Sequence, residues 1–201
     1  MAEPASSTRE RIIQAAFKAF ARDGLGATTR TIAQEAGVNE VTLFRHFQNK
    51  EGLLAAVMTQ MVQENHGAGL GEVEEWTGSL KQCLRRFADD LYSNLVRDEA
   101  FIRTMVGEAR RHPDHSKKLI MDAVKPVRDR FIANLEAARE AGLIRHGIDL
   151  GIAADTFTAA LFGGMLRHTA GCSWGYPAEE FLNTCVDLFA AGFAPGSTPQ
   201  S

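Results

Sequence analysis

The feature that most constrains this chain is a short turn, Gly37-Val38-Asn39, set between two short segments of apolar periodicity. Glycine takes positive φ at little cost, so the chain can reverse there. Val38 can plug a core, and Asn39 can cap the next helix. Upstream, Thr28 is placed to cap a helix whose Ile32, Ala33 and Ala36 face inward. Downstream, residues 40–47 bury Leu43 and Phe47 and leave Glu40, Val41, Thr42, Phe44, Arg45 and His46 outward. Two helices meeting at roughly 90–120° through a turn of about 3–4 residues containing glycine form a helix-turn-helix. Ala33 matters because the helices cross closely there, and a larger side chain would push them apart.

The flanking sequence extends the helical reading. Ser7 and Glu10 have capping-box spacing, and Ile12, Ile13, Ala16, Phe17 and Phe20 form one stripe. Gly24 is expected to end that helix in a left-handed cap. Asn49 caps a fourth helix, with Lys50 and Glu51 in its first turn. Trp76, Leu80, Cys83, Leu84, Phe87 and Leu91 make a further stripe, and Phe101, Ile102, Met105, Val106 and Ala109 make another. One more runs through Ile120, Val124, Val127, Phe131 and Leu135, with Pro126 inside it expected to kink or break the helix. Gly142 ends that helix, Asp149 caps one running to about Thr169, and Phe181, Leu182, Cys185, Val186, Phe189 and Phe193 mark the last. The fold class is all-α, with about nine helices. A three-helix helix-turn-helix domain occupies residues 1–55 and a helical bundle 56–201, and disorder is expected in residues 1–6 and 194–201.

Composition narrows the function classes. A chain of 201 residues can bury about 70% of its unfolded surface, so it needs no covalent staple. Apolar stretches fall far short of the ~18 residues of a membrane span, and the polar start lacks a signal-peptide apolar block. Cys83, Cys172 and Cys185 are too few and too scattered for a disulfide framework or a zinc site, which points to reducing cytoplasm. The pair His168 and Cys172 has helical spacing, but neither it nor His112-Pro113-Asp114-His115 has enough partners to hold a metal. No cofactor is expected. The chain lacks a P-loop and a His-Glu-x-x-His pair, and no strand precedes Gly67-Ala68-Gly69-Leu70-Gly71. An enzyme is therefore not expected. Net charge is −3; residues 1–56 hold 7 Lys plus Arg against 6 Asp plus Glu, the remainder 15 against 19. Any polyanion must be met locally.

Thr28-Thr29-Arg30-Thr31-Ile32-Ala33-Gln34-Glu35-Ala36-Gly37-Val38, with Val41-Thr42-Leu43-Phe44-Arg45-His46-Phe47-Gln48-Asn49-Lys50-Glu51-Gly52-Leu53-Leu54 after it, resembles the DNA-binding domain of the TetR family of bacterial regulators. The resemblance covers about residues 8–55. It joins a helix-turn-helix to an aromatic-rich third helix and a Lys-Glu-x-Leu-Leu start of the next. Phe44 stands where the family most often has Tyr, and Ala27 where it has Thr or Ser. Beyond residue 55 the family keeps architecture rather than sequence.

The resemblance implies a one-component regulator, most often a repressor, that binds a palindromic double-stranded DNA operator as a homodimer and is released by a small hydrophobic or amphipathic effector. A helix of this size fits the ~12 Å major groove. Thr42 and Arg45 are then candidates for base edges. Thr28, Thr29, Asn39, His46 and Lys50 are candidates for phosphates, and Glu40, Val41 and Phe44 complete the DNA-facing set. Ala160 and Gly164, with Phe181, Cys185 and Phe189, are candidates for a four-helix dimer interface. Met58, Met61, Phe87, Phe101, Met105, Met121, Phe131, Phe157 and Met165 are candidates to line an effector cavity, methionine being adaptable. The fourth helix, from Lys50 to Met61, is the expected lever between ligand and DNA. A ligand carrier would share the bundle but lack salt-dependent DNA binding.

Overall fold

A computed structural model describes residues 7–62, 68–111, 113–172 and 175–195. Among them are nine α-helices: α1 Thr8–Asp23, α2 Thr29–Glu35, α3 Glu40–Phe47, α4 Lys50–Gln60, α5 Leu80–Arg97, α6 Glu99–Arg111, α7 Pro113–Glu140, α8 Leu150–Thr169 and α9 Ala178–Phe193. Short 3-10 turns occupy Gly24–Gly26, Ala68–Leu70 and Val73–Thr77. No strand occurs among the described residues. The tails expected to be disordered fall outside the described residues, apart from Ala194 and Pro195.

The chain forms two compact units. One joins residues 1–62 to 98–124, and the other joins 63–97 to 125–201. This division differs from a cut at residue 55, because α4, α6 and the first part of α7 go with the helix-turn-helix.

The first unit is written largely in its caps. Ser7 and Glu10 close a capping box on α1, and Thr28, Asn39 and Asn49 each accept the backbone N–H three residues on. Each such cap is worth about 1 kcal/mol. Gly24 has the expected positive φ, 66°, but its ψ of −163° lies outside the left-handed helical region. Gly37 turns the chain at φ 68°. Arg11 reaches across from α1 and donates to the carbonyls of Ala36 at 2.9 Å and Gly37 at 3.3 Å, which otherwise end α2 unpaired. The stripe of α1 is buried through Ile12, Ile13, Ala16 and Phe20. Phe17 is half-buried and packs its ring 5.2 Å from that of Phe101 on α6.

In the second unit α5 packs against α8 and α9. Trp76, Phe87, Phe131 and Phe157 are all buried and pack their rings together at tilted angles: Phe87 lies 4.6 Å from Phe131, Trp76 5.6 Å from Phe131, and Phe157 5.9 Å from Phe131. Trp76 does not extend α5 as its stripe suggests; it sits in the separate turn Val73–Thr77. Pro126 does not break α7, which runs unbroken for 28 residues. One missing backbone donor is not enough to end a helix of that length. Val106, Met121 and Val124, read as inward, are exposed. Asp149 caps α8 through the N–H of Ile152. Arg128 clamps Asp155 of α8 with two hydrogen bonds, 2.6 and 2.9 Å, which hold that carboxyl below its ordinary pKa.

Candidate nucleic-acid interface

The third helix has only eight residues, and two of them anchor it. Leu43 and Phe47 are buried, each contributing about 1.5–3 kcal/mol through removal from water. The guanidinium of Arg9 covers the Phe47 ring at 5.5 Å. The opposite face is open: Val41 is 63% exposed, and Phe44, Arg45 and His46 are exposed beside it. Arg45 and His46 have no hydrogen bond within the chain among the described residues, so their donors are available to an outside acceptor.

The other candidates are partly committed within the fold. Thr42 is half-buried; its backbone N–H and hydroxyl both donate to the Asn39 side-chain oxygen, Oδ1, at 2.8 and 2.9 Å. That leaves the Asn39 NH2 group facing outward from the start of α3. Thr29 donates its hydroxyl to the Glu40 carboxylate at 2.7 Å and so ties the start of α2 to the start of α3. Thr28 spends its oxygen on the N–H of Thr31. The Lys50 ammonium donates to the Leu25 carbonyl and is thereby held at the start of α4. An ammonium has three donors, so two remain for a phosphate. Sequence reasoning passed over Arg30, which stands exposed in the first turn of α2 without a partner among the described residues. The signal was present as a lone cation directly after two threonines.

The structure divides the effector candidates. Phe87, Phe131, Phe157 and Met165 lie buried in the second unit; Met58, Met61, Phe101 and Met105 lie buried in the first. Met121 is 54% exposed and lines no interior. Its residue type had made it a candidate, and an adaptable side chain does not say which way its helix face turns.

The interface candidates also sort. Gly164 is filled from within its own chain, because a Cβ there would stand 2.2 Å from Cε1 of Phe181. It is a packing residue of the second unit rather than part of an outer face. Phe189 is half-buried, with its ring 4.9 Å from that of Phe157. Ala160, Phe181 and Cys185 are half-buried, and burial raises the Cys185 thiol pKa. Sequence reasoning missed two apolar residues that stand well out: Ile152 on α8, 66% exposed, and Leu188 on α9, 69% exposed. Ile152, Thr156, Ala159 and Gly163 share one helical face, as do Phe181, Cys185, Leu188 and Gly192.

The pair His168 and Cys172 does not assemble as a metal site. Cys172 lies beyond the end of α8, so it lacks helical spacing from His168, whose Nδ1 meets the Tyr92 hydroxyl instead. The group His112 to His115 lies outside the described residues as regards its side chains. Among the described residues no helix is long and apolar enough to cross a membrane.

Residues 12–57 match the family model for bacterial regulatory proteins of the tetR family, and residues 75–187 match that for the tetracyclin repressor-like C-terminal domain. The chain is 27% identical over 201 residues to the uncharacterized HTH-type transcriptional regulator YvkB of Bacillus subtilis, covering 93% of this chain and 97% of that one. It is 35% identical over 98 residues to the HTH-type transcriptional regulator TtgR of Pseudomonas putida, a match covering 48% of this chain and 46% of the other. Among solved structures it shares its fold with the fatty acid degradation regulator FadR of Bacillus halodurans. The TM-score there is 0.74 at 18% identity, over 94% of this chain and 98% of that one. Salmonella enterica GusR gives a TM-score of 0.75 at 22% identity, over 92% and 95% of the two chains.

Proposed function

We propose that this chain, which belongs to the TetR family of bacterial regulatory proteins, works as a homodimeric repressor: it grips a palindromic operator and releases it when a small hydrophobic or amphipathic effector binds. Its transcriptional-regulator character and its helix-turn-helix domain are those of the family. The observation that carries the reading is the outer face of α3, where Val41, Phe44, Arg45 and His46 stand free while Leu43 and Phe47 hold the helix from behind. Arg45 can take a guanine through two parallel hydrogen bonds, and Val41 can press on a thymine methyl. Lys50, Asn39, Thr28 and Arg30 are suited to the flanking phosphates and fix the register. One such helix reads few base pairs. Two, about 34–36 Å apart on a dimer, read a palindrome. The effector acts through a coupling free energy: a ~100-fold loss of operator affinity needs about 2.7 kcal/mol, within the usual range for linked sites.

The test is selection of bound sequences from a random duplex pool by wild type and by Arg45→Ala, Lys50→Ala. Wild type should enrich a palindrome. The double variant should bind that palindrome ~100-fold or more weakly, having lost base contacts worth about 1–3 kcal/mol in each half-site. Its salt dependence should also flatten by about 2 in log–log slope, one lysine–phosphate contact per half-site. No enriched sequence at any salt would remove the regulator reading for this chain.

The exposed faces of α8 and α9 support self-pairing. Leu188→Glu should turn the dimer into a monomer in sedimentation and weaken operator binding with it, because a charge would be buried against its symmetry mate. A variant that remains dimeric would place the contact elsewhere.

A further inference from the structure

Asn134 on α7 is fully buried, and its Oδ1 is the one buried side-chain oxygen or nitrogen among the described residues with no hydrogen-bond partner. Its orientation is fixed by its neighbours. The Nδ2 group donates to the carbonyl of Leu70 at 3.2 Å, and the Trp76 indole N–H donates to the same carbonyl at 2.6 Å. A flipped amide would set two acceptors against each other, so the oxygen is the end left over. Leaving a buried acceptor unmet costs about 1–3 kcal/mol, and an apolar residue of the same size would avoid that cost.

The surroundings define what could meet it. Asn134 stands one helical turn from Phe131 and shares a carbonyl with Trp76, both members of the aromatic cluster with Phe87 and Phe157. Within this unit no other amide or charged side chain is buried among the described residues. The buried Tyr92 hydroxyl already meets His168. The Arg86 guanidinium reaches the same Leu70 carbonyl at 3.5 Å and that of Gly69 at 3.1 Å, but it is part-exposed and its charge is already paired with Glu75. The interior therefore offers aromatic surface, one acceptor and no buried charge to balance an ion.

We propose that Asn134 is the polar anchor of the effector site, and that the effector is a neutral, largely apolar or aromatic compound presenting a single hydroxyl or N–H donor to Asn134 Oδ1. This rests on the effector-responsive reading of the chain and narrows it. A carboxylate-bearing ligand is disfavoured on two counts: it would face an acceptor, and its charge would be buried without a partner.

The test uses the full chain and a matched pair of probes, 4-propylphenol and 4-propylanisole, which differ by a methyl group in place of the donor hydrogen. Calorimetric titration of wild type should show the phenol binding about 10-fold tighter than the ether, the upper range for one net hydrogen bond. Asn134→Leu should bring the two probes to within about 2-fold while keeping affinity for the ether. Equal binding of the two by wild type, no binding of either, or a preference that survives in Asn134→Leu would each overturn the assignment. Operator binding by the same proteins separates the two readings. A donor preference in a protein that selects no DNA sequence would sink the regulator reading and leave the anchor standing. Operator binding without a donor preference would do the reverse.

Discussion

Truncating Phe131 to alanine is expected to lower the unfolding free energy by about 3–5 kcal/mol, the range for removing a buried phenyl ring from a core that cannot fully collapse. The ring is 1% exposed and is met on three sides by Trp76, Phe87 and Phe157, each from a different segment of the second unit. Trp76 and Phe87 are themselves held, one by its hydrogen bond to Leu70 and the other by α5 packing on α8 and α9. Little can move in to fill the space. For a chain of this length the melting temperature should fall by about 6–20 °C. Met121→Ala is the control: the side chain is mostly exposed, and its loss should cost about 0.5 kcal/mol or less. Chemical unfolding monitored by circular dichroism measures both. Equal effects of the two substitutions would mean that the ring cluster is not a single packed core.

Replacing Gly52 with alanine pits two effects against each other. Helix propensity alone favours alanine by up to about 1 kcal/mol. Space opposes it: a Cβ at this position would stand 2.4 Å from the backbone oxygen of Phe47 and 3.3 Å from the Asn49 cap oxygen. A backbone atom cannot swing aside as a side-chain tip can, so the junction between α3 and α4 must open. The net expectation is a loss of about 1–3 kcal/mol. Phe47 ends α3 and anchors it, so operator affinity should fall with stability. Thermal unfolding and DNA titration of Gly52→Ala check this together. A variant more stable than wild type would show that the junction yields without cost.

The sequence made much of this structure legible where the cause is local. Ser7, Thr28, Asn39, Asn49 and Asp149 each cap the helix expected of them, because a cap needs only the next three residues. The division of α3 into Leu43 and Phe47 within and the rest without is equally local, since helical period fixes it. Period gives a direction but does not say what lies opposite. Val106 and Val124 kept to an apolar stripe and still ended exposed. Gly164 has the look of an outer-face residue in the sequence, yet Phe181, seventeen residues on, fills the space beside it. Trp76 continued the spacing of α5, and only Gly78 hinted at the break. Gln48 ends α3 at φ 60°, a conformation its residue type does not announce. The exposure of Val41, Phe44, Arg45 and His46 was readable from the helical period, whereas Thr29 binding Glu40, and Lys50 binding Leu25, depend on how the helices meet.

The economy of α3 bears on how such a protein can diversify. Four of its eight residues, Val41, Phe44, Arg45 and His46, make no side-chain hydrogen bond among the described residues and lie outside the core. Exchanging them should shift stability by no more than about 0.5 kcal/mol each. A lineage, or an engineer, can therefore rewrite the outer lettering of this helix in single steps without first accumulating compensating changes in the scaffold. The same freedom leaves folding unable to police those positions, so under the proposed function whatever holds them to one spelling must come from the operator.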